Sequence, residues 1–433
     1  MLKDFKMSLI EELKWRGMLQ DIMPGTEEQL KKEPTTAYIG FDPTADSLHI
    51  GSLVPILLLY HLQQAGHKPI ALVGGATGMV GDPSGKSEER NLLDEATLQK
   101  NINGVRSQLE KYLDFSESRT NAAEIVNNYD WFKGLGFIDF LRDVGKHITV
   151  NYMMSKDSVR KRIEGETGIS YTEFAYQLMQ GYDFYWLYTQ KNCKLQMGGS
   201  DQWGNITTGT ELIRRKAGGE GFAFTCPLIT KADGGKFGKT EKGNVWLDPE
   251  KTTPFQFYQF WLNAADADAT KWIKIFTLLP KEEIDQLIEE HAKDPGARIL
   301  QKKLAENITS FVHGKEECAT AIQTTEQLFG KKDDIDFKAL TEQELLQAMD
   351  GVPVQLLEQS KIAGGIDVVS FLVDAGIFPS KGEARKMIQG GGVSINKEKV
   401  TDAALIIHES HLLAGHHIVV QKGKKNHFLI KIN

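Results

Sequence analysis

The chain has 433 residues, of which 41% are apolar and 25% charged, and carries a net charge of −7. That length exceeds one ordinary core and predicts about two or three globular domains, while the acidic balance argues against a dedicated nucleic-acid binder. The three cysteines, Cys193, Cys226 and Cys318, lie too far apart for a CxxC or Cys/His metal spacing, so a reducing compartment and no structural zinc are expected.

The opening MLKDFKMSLIEELKWRGML mixes both charge signs in an amphipathic pattern. It lacks the basic start and uninterrupted apolar stretch of a signal peptide. The longest apolar run, LVPILLLY at 53–60, is too short to span a bilayer; a cytoplasmic protein without membrane attachment is expected. TAYIGF at 36–41 and KPIALVG at 68–74 are β-prone runs flanked by turn residues. Between them, HIGSLVPILLLYHLQQAG has helical length and closes on Gly66. Strand, helix and strand make a βαβ unit, hence a parallel sheet with ligands at the carboxyl ends of its strands.

The segment ALVGGATGMVGDPSGKS, 71–87, ends like a nucleotide-binding P-loop. The pattern requires a glycine at position 80, where Val80 stands, with Gly81 one residue late. Asp82 would moreover repel a phosphate cradled there. The P-loop reading is therefore rejected, and the acidic residue needs another explanation.

SYTEFAYQLMQGYDFYWLY, 170–188, opens with a capping box, Ser170 with Glu173. Tyr176, Gln180 and Asp183 stand at i, i+4 and i+7, one narrow stripe on an otherwise apolar helix. Buried polar groups need partners, so the stripe is either an internal hydrogen-bond network or the wall of a pocket for a small polar ligand. A further strand, CKLQMGG, ends at the loop SDQWGN. Glycine-rich and polar loops would then meet on one edge of the sheet.

Residues 251–335 read as helical and mixed in charge, and 336–360 as a polar, partly helical connector. Beyond it SKGEARKMIQGGG carries a capping box, Ser380 with Glu383, followed by VSINKEKV as strand and turn. Residues 361–433 hold ten Lys and Arg against six Asp and Glu, a net of +4 that leaves −11 for residues 1–360. Five histidines, His408 to His427, fall in the same tail. A run of this kind is either a solvated face or a phosphate-binding surface.

DPTADSLHIGS places His49, Gly51 and Ser52 at a helix start after a strand, and KFGKT at 236–240 sets two lysines three apart on a glycine-rich loop, suited to clamping phosphate oxygens. With YIGFDPTADSLHIG, LVGGATGMVGDPSGK, NNYDWF, GGSDQWGNIT and PLITKADGGKFGKT, in that order, the chain resembles the bacterial tyrosyl-tRNA synthetases of class I over nearly its whole length. HIGS is similar to the class signature His-Ile-Gly-His and KFGKT to Lys-Met-Ser-Lys-Ser.

The resemblance implies an α/β protein. A Rossmann-like catalytic domain over 1–250 would be followed by a helical domain over 251–335, the connector over 336–360, and an S4-like α+β RNA-binding domain over 361–433. Tyr38 and Asp183 would hydrogen-bond the phenolic hydroxyl of tyrosine, and Asp82, Tyr176 and Gln180 its ammonium, with Asp42 and Gln202 nearby. Asp82 in the glycine-rich loop would thus meet a cation. Thr44 and His49 would contact the γ-phosphate of ATP, Gly51 and Ser52 would lie by the nucleotide, and Gly199 and Asp201 would bind ribose. Lys86, Arg90, Lys236, Lys239 and Thr240 would surround the phosphates. Lys381, Arg385, Lys386, Lys424 and Lys425 would meet tRNA. MgATP as substrate, no protein-bound structural metal, and a homodimer formed through WFKGLGFIDFLRDVGKHITV are expected.

Two positions depart from the family pattern. Ser52 stands where the signature has His, and Ile39 beside Tyr38 offers no polar contact to ribose. A related tryptophanyl-tRNA synthetase would have no ligand hydroxyl for Tyr38 and Asp183. An RNA-binding module without activity would not need His49, Lys236 and Lys239.

Overall fold

The computed structural model describes residues 7–84, 93–165, 168–235, 237–240, 243–329, 337–342, 345–346, 349, 352–423 and 426–433. Lys86, Arg90, Lys236, Lys424 and Lys425 lie outside the described residues, and Lys239 and Thr240 are described by backbone alone. The chain divides into two compact units. One comprises Met1–Lys251 with Asn263–Ile308, the other Thr252–Leu262 with Thr309–Asn433.

The first unit is built on strands β1 (Thr36–Phe41), β2 (Lys68–Val73), β3 (Glu124–Asn127), β4 (Cys193–Gly199) and β5 (Phe222–Cys226), ordered β3-β2-β1-β4-β5. All four pairings are parallel. Strands covered on both faces read as continuous apolar runs, and every residue of β2 beyond Lys68 is buried. The apolar helix Leu53–Gln64 makes the crossover from β1 to β2, as the βαβ pattern predicts, and Gly66 closes it with φ 91°. Because the strand order reverses between β1 and β4, the loops after them diverge and open a crevice at their carboxyl ends. The antiparallel pair β6 (Lys239–Thr240) and β7 (Gly243–Asn244) follows in sequence.

The helix Tyr171–Lys191 begins where Ser170 Oγ accepts the Glu173 N–H at 3.2 Å. The Glu173 carboxylate is held by both terminal nitrogens of Arg162, at 2.9 and 2.8 Å, with both side chains buried. This helix lies along Trp203–Ala217, and Gly209 allows the approach, since a Cβ there would sit 2.9 Å from Phe184.

The expected helical domain over 251–335 is instead shared between the two units. Part of it belongs to the first unit for a local reason. Buried Arg16 donates to the carbonyls of Lys274, Thr277 and Leu279 at 2.7, 2.8 and 2.9 Å, satisfying acceptors that the end of helix Asp266–Phe276 would otherwise leave without partners. In the second unit, helix Pro254–Leu262 packs on Lys315–Phe329, where Gln259 donates to Thr325 Oγ1 at 2.7 Å.

The tail of the second unit contains β8 (Val354–Leu357), β9 (Ile366–Asp367), β10 (Val393–Ile395), β11 (Glu398–Lys399), β12 (Ile406–Ile407), β13 (His417–Lys422) and β14 (Asn426–Ile432). Its five-stranded sheet runs β11-β10-β13-β14-β8, over a core that includes Phe371, Leu372, Ile388, Val420, Phe428 and Ile430. The segment expected as a connector over 336–360 therefore supplies an edge strand, β8, parallel to β14. Only Leu357 of that strand is buried, so its sequence shows too little alternation to stand out. Among the described residues no helix is long and apolar enough to cross a membrane.

Removing one partner of a buried ion pair strands the other charge, a cost of about 3 kcal/mol or more, whereas an apolar replacement of both is often tolerated. Glu173→Gln should therefore lower the unfolding free energy of the first unit by about 3 kcal/mol, and Arg162→Met with Glu173→Leu should recover most of it. Urea unfolding followed by tryptophan fluorescence measures both; a Glu173→Gln protein as stable as the parent would show that the pair carries no such weight.

Candidate active site

The crevice encloses a cavity of about 650 Å³. Tyr38, Asp42, Thr44, His49, Gly51, Ser52, Asp82, Tyr176, Gln180, Asp183, Gly199, Asp201 and Gln202 all line it, so thirteen of the residues singled out from sequence converge on one space. Ile39 is also in its wall.

At its deep end Asp183 is 2% exposed. Asn128 Nδ2 donates to its Oδ2 at 3.1 Å and Trp131 Nε1 to its Oδ1 at 2.9 Å. Burial pushes the Asp183 carboxyl up to about 8, against the lowering effect of those two hydrogen bonds, and the charge of Asp42 adds to the rise. Tyr38 is 1% exposed, and its hydroxyl has no hydrogen-bond partner among the described residues. Burial, then the nearby Asp183 charge, hold its phenol far above the ordinary value, so it stays protonated. An unpartnered hydroxyl and a carboxyl able to accept one more donor suit a ligand group that both donates and accepts, as a phenol does.

Toward the mouth the walls become acidic. Tyr176 donates its hydroxyl to Asp42 Oδ2 at 2.7 Å, and Thr77 Oγ1 donates to Asp42 Oδ1 at 2.8 Å. Gln202 Nε2 reaches Asp82 Oδ2 at 2.7 Å and Asp201 Oδ2 at 3.0 Å. Asn205 donates to Gln180 Oε1 at 3.0 Å. Carboxylates lining a cavity wall attract a cation. Asp82 thus belongs to an acidic ring, as its place in a failed P-loop requires.

The two nucleotide-like segments are tied together by main chain. His49 Nδ1 accepts the Gly51 N–H at 3.0 Å, capping a 3₁₀ turn, Ile50–Ser52. A Cβ at Gly51 would lie 2.7 Å from the imidazole, so a side chain there would displace the His49 ring from its capping position. The Val245 N–H donates to Gly238 O at 3.1 Å, and Val245 O accepts from the Ile50 N–H at 3.0 Å. Gly238 itself has φ 81°. Phe237 anchors the loop in the same unit, with ring centroids 5.1 Å from Trp272 and 5.2 Å from Phe276.

Sequence reasoning gave no role to Asn128, Trp131, Thr77, Asn205 or Gln196. Asn128 and Trp131 follow β3 at the ligand-binding edge of the sheet, but that strand is only half-buried along its length and carries no sequence pattern that would have singled them out. Gln196, on β4, lines the cavity with its Oε1 buried and without a partner among the described residues. In the second unit, Lys381, Arg385 and Lys386 are exposed on helix Lys381–Gln389, which buries Ala384 and Ile388. Lys381 and Arg385 stand four apart and both help hold Asp367 below its usual range, after its hydrogen bonds with Ser370.

Residues 30–330 match the family model for class I tRNA synthetases (W and Y), and 344–430 that for the C-terminal domain of SYY-like tyrosine–tRNA ligases. The chain is 61% identical over 427 residues to a tyrosine–tRNA ligase of Porphyromonas gingivalis, covering 98% of this chain and 99% of the relative. It is 60% identical over 429 residues to that of Flavobacterium johnsoniae, with the same coverage of 98% and 99%. A C-terminally truncated mitochondrial tyrosyl-tRNA synthetase of Aspergillus nidulans superposes with a TM-score of 0.67 at 30% identity, covering 76% of this chain and 96% of its own. The tryptophanyl-tRNA synthetase of Plasmodium falciparum, at 13% identity and a TM-score of 0.52 over 78% of this chain and 88% of its own, shares the fold alone.

The carboxyl at 183 has a consequence for stability. A carboxyl whose folded pKa is about 8, against about 3.9 unfolded, retains its proton only in the folded state between those values. The folded form then binds more protons, and stability falls as pH rises across that window. In the ligand-free protein Asp183→Asn should remove this component of the decline. Urea unfolding of both proteins at several pH values between 5 and 8 checks it; identical pH dependence would mean that Asp183 titrates near its ordinary value.

Proposed function

The chain belongs to the tyrosine–tRNA ligase family of class I synthetases, whose reaction uses ATP to join tyrosine to tRNA, and on that premise we propose how its residues divide the work. The phenol of tyrosine lies between Tyr38 and Asp183, donating to the Asp183 carboxyl and accepting from the Tyr38 hydroxyl. The ammonium group sits among Asp82, Tyr176 and Gln180, with Asp42 and Gln202 beside them. The observation that carries this reading is the buried Tyr38 hydroxyl left without a partner next to a carboxyl held by only two donors.

Held at both ends, tyrosine presents its carboxylate toward the mouth of the cavity. MgATP is the second substrate. His49, Gly51 and Ser52 lie along the nucleotide, and Gly199 and Asp201 at the ribose. The carboxylate attacks the α-phosphate, the bond to the β-phosphate breaks, and tyrosyl-adenylate and pyrophosphate form. No general base is needed, because the nucleophile is already an anion. Catalysis comes from positioning and from positive charge placed where the leaving group develops. Lys86, Arg90, Lys236 and Lys239 supply that charge, and Thr44, His49 and Thr240 supply hydrogen-bond donors. The tyrosyl group then passes to the terminal ribose of tRNA(Tyr), which Lys381, Arg385, Lys386, Lys424 and Lys425 help to hold.

A cytoplasmic homodimer completes the proposal. Phe137 and Ile138 are 63% and 64% exposed, and Leu141 and Val150 are exposed as well, an apolar surface that a second copy would cover. ATP–pyrophosphate exchange with each standard amino acid tests the function. Tyrosine alone should stimulate exchange, and equal stimulation by phenylalanine or tryptophan would overturn it.

Two expectations follow from the residue roles. Tyr38→Phe removes one neutral hydrogen bond to the substrate hydroxyl, worth about 1 kcal/mol net, or roughly five- to tenfold. The ratio of kcat/KM for tyrosine over phenylalanine should fall by that factor, because phenylalanine never made the bond; an unaltered ratio would remove Tyr38 from the hydroxyl site. In the second unit, Arg385→Glu should weaken tRNA binding and flatten its dependence on salt while leaving tyrosine-dependent exchange intact. Filter binding at several salt concentrations reads this, and an unchanged slope would place the phosphates elsewhere.

A further inference from the structure

Five histidines lie between His408 and His427, and the reaction described above uses none of them. His416 and His417 sit at the entry to β13, the central strand of the tail sheet. The preceding turn, 413–417, is closed by Leu413 and His417, which exchange N–H···O bonds of 2.7 and 3.0 Å, and Ala414 and Gly415 take left-handed backbone with φ 50° and 88°. The two imidazoles stand with ring centroids 5.2 Å apart. Glu342, 74 residues upstream of His416, brings Oε1 to 3.2 Å from His416 Nε2. One ligand atom from each of Glu342, His416 and His417 lies within 4.8 Å of the others.

An exposed ion pair between Glu342 and His416 would account for two of these three residues. It leaves His417 unexplained. That ring is 1% exposed, and neither of its nitrogens has a hydrogen-bond partner among the described residues. Buried polar atoms in this state are rare and call for a specific cause, an ion among them.

We propose that Glu342, His416 and His417 bind a divalent transition-metal ion of the Zn²⁺ class, with the fourth position left to water. Two imidazoles and one carboxylate are a donor set that zinc accepts. Zn–N bonds near 2.1 Å in a tetrahedral site place ligand atoms about 3.4 Å apart. The closure from 4.8 Å falls within side-chain rotation of the exposed Glu342 and His416. The ion ties the segment before β8 to the central strand, so its binding contributes to the folding of the second unit. Cysteine spacing, from which no structural metal was expected, is silent about such a site.

The test uses the full-length protein, stripped by a chelator and titrated with Zn²⁺ by calorimetry and with Co²⁺ by visible spectroscopy. The parent protein should bind one ion per chain, show the strong visible band of tetrahedral Co²⁺, and melt at higher temperature with Zn²⁺. His416→Asn and Glu342→Gln alter exposed side chains and leave the core intact. Each should lose at least about tenfold in affinity, the lower end of what loss of a mere outer-shell partner costs, along with the visible band. His417→Gln should abolish binding. Absence of uptake by the parent protein, or unchanged affinity in both exposed variants, which would mark an adventitious ion at the other histidines, overturns the proposal.

Discussion

A carboxyl group at position 183 lies in the core with N–H donors on both oxygens and, among the described residues, no cation paired with it, and the catalytic unit is arranged to keep it there. The helix that carries it is fixed at its start by a buried ion pair and at its end by Asn192 in left-handed conformation. Strands β1 and β4 then set Tyr38 and Gln196 against it from the sheet. A cation beside Asp183 would have relieved the strain of burial and closed the site. Leaving the carboxyl short of one donor makes the missing hydrogen bond available to a ligand, and any molecule of the same shape without a hydroxyl leaves that debt unmet.

One wall of the cavity is acidic. The described wall carries Asp42, Asp82 and Asp201, each held by neutral hydroxyl or amide donors. Such a wall welcomes an ammonium and repels phosphate.

Much of this was legible in the sequence, and for identifiable reasons. β1 and β2 are short β-prone runs flanked by turn residues, β4 ends in two glycines, and Tyr176, Gln180 and Asp183 recur at the helical period, so both scaffold and polar stripe could be seen without coordinates. Asn128 and Trp131 could not. Their role depends on β3 lying next to β2, a pairing that no local pattern encodes. The edge strand β8 was missed because just one of its residues is buried, and the division of 251–335 because Arg16, far away in sequence, supplies the contacts that decide it.

Val245 joins the two nucleotide segments through its own amide and carbonyl. The join is made by atoms that every residue except proline possesses, so the coupling between the HIGS turn and the KFGKT loop is independent of side-chain identity at 245. Drift among valine, isoleucine and similar apolar residues at this buried position would leave the connection whole. A search for residues that vary together would therefore pass over the linkage, even though one backbone unit sets the spacing of both motifs.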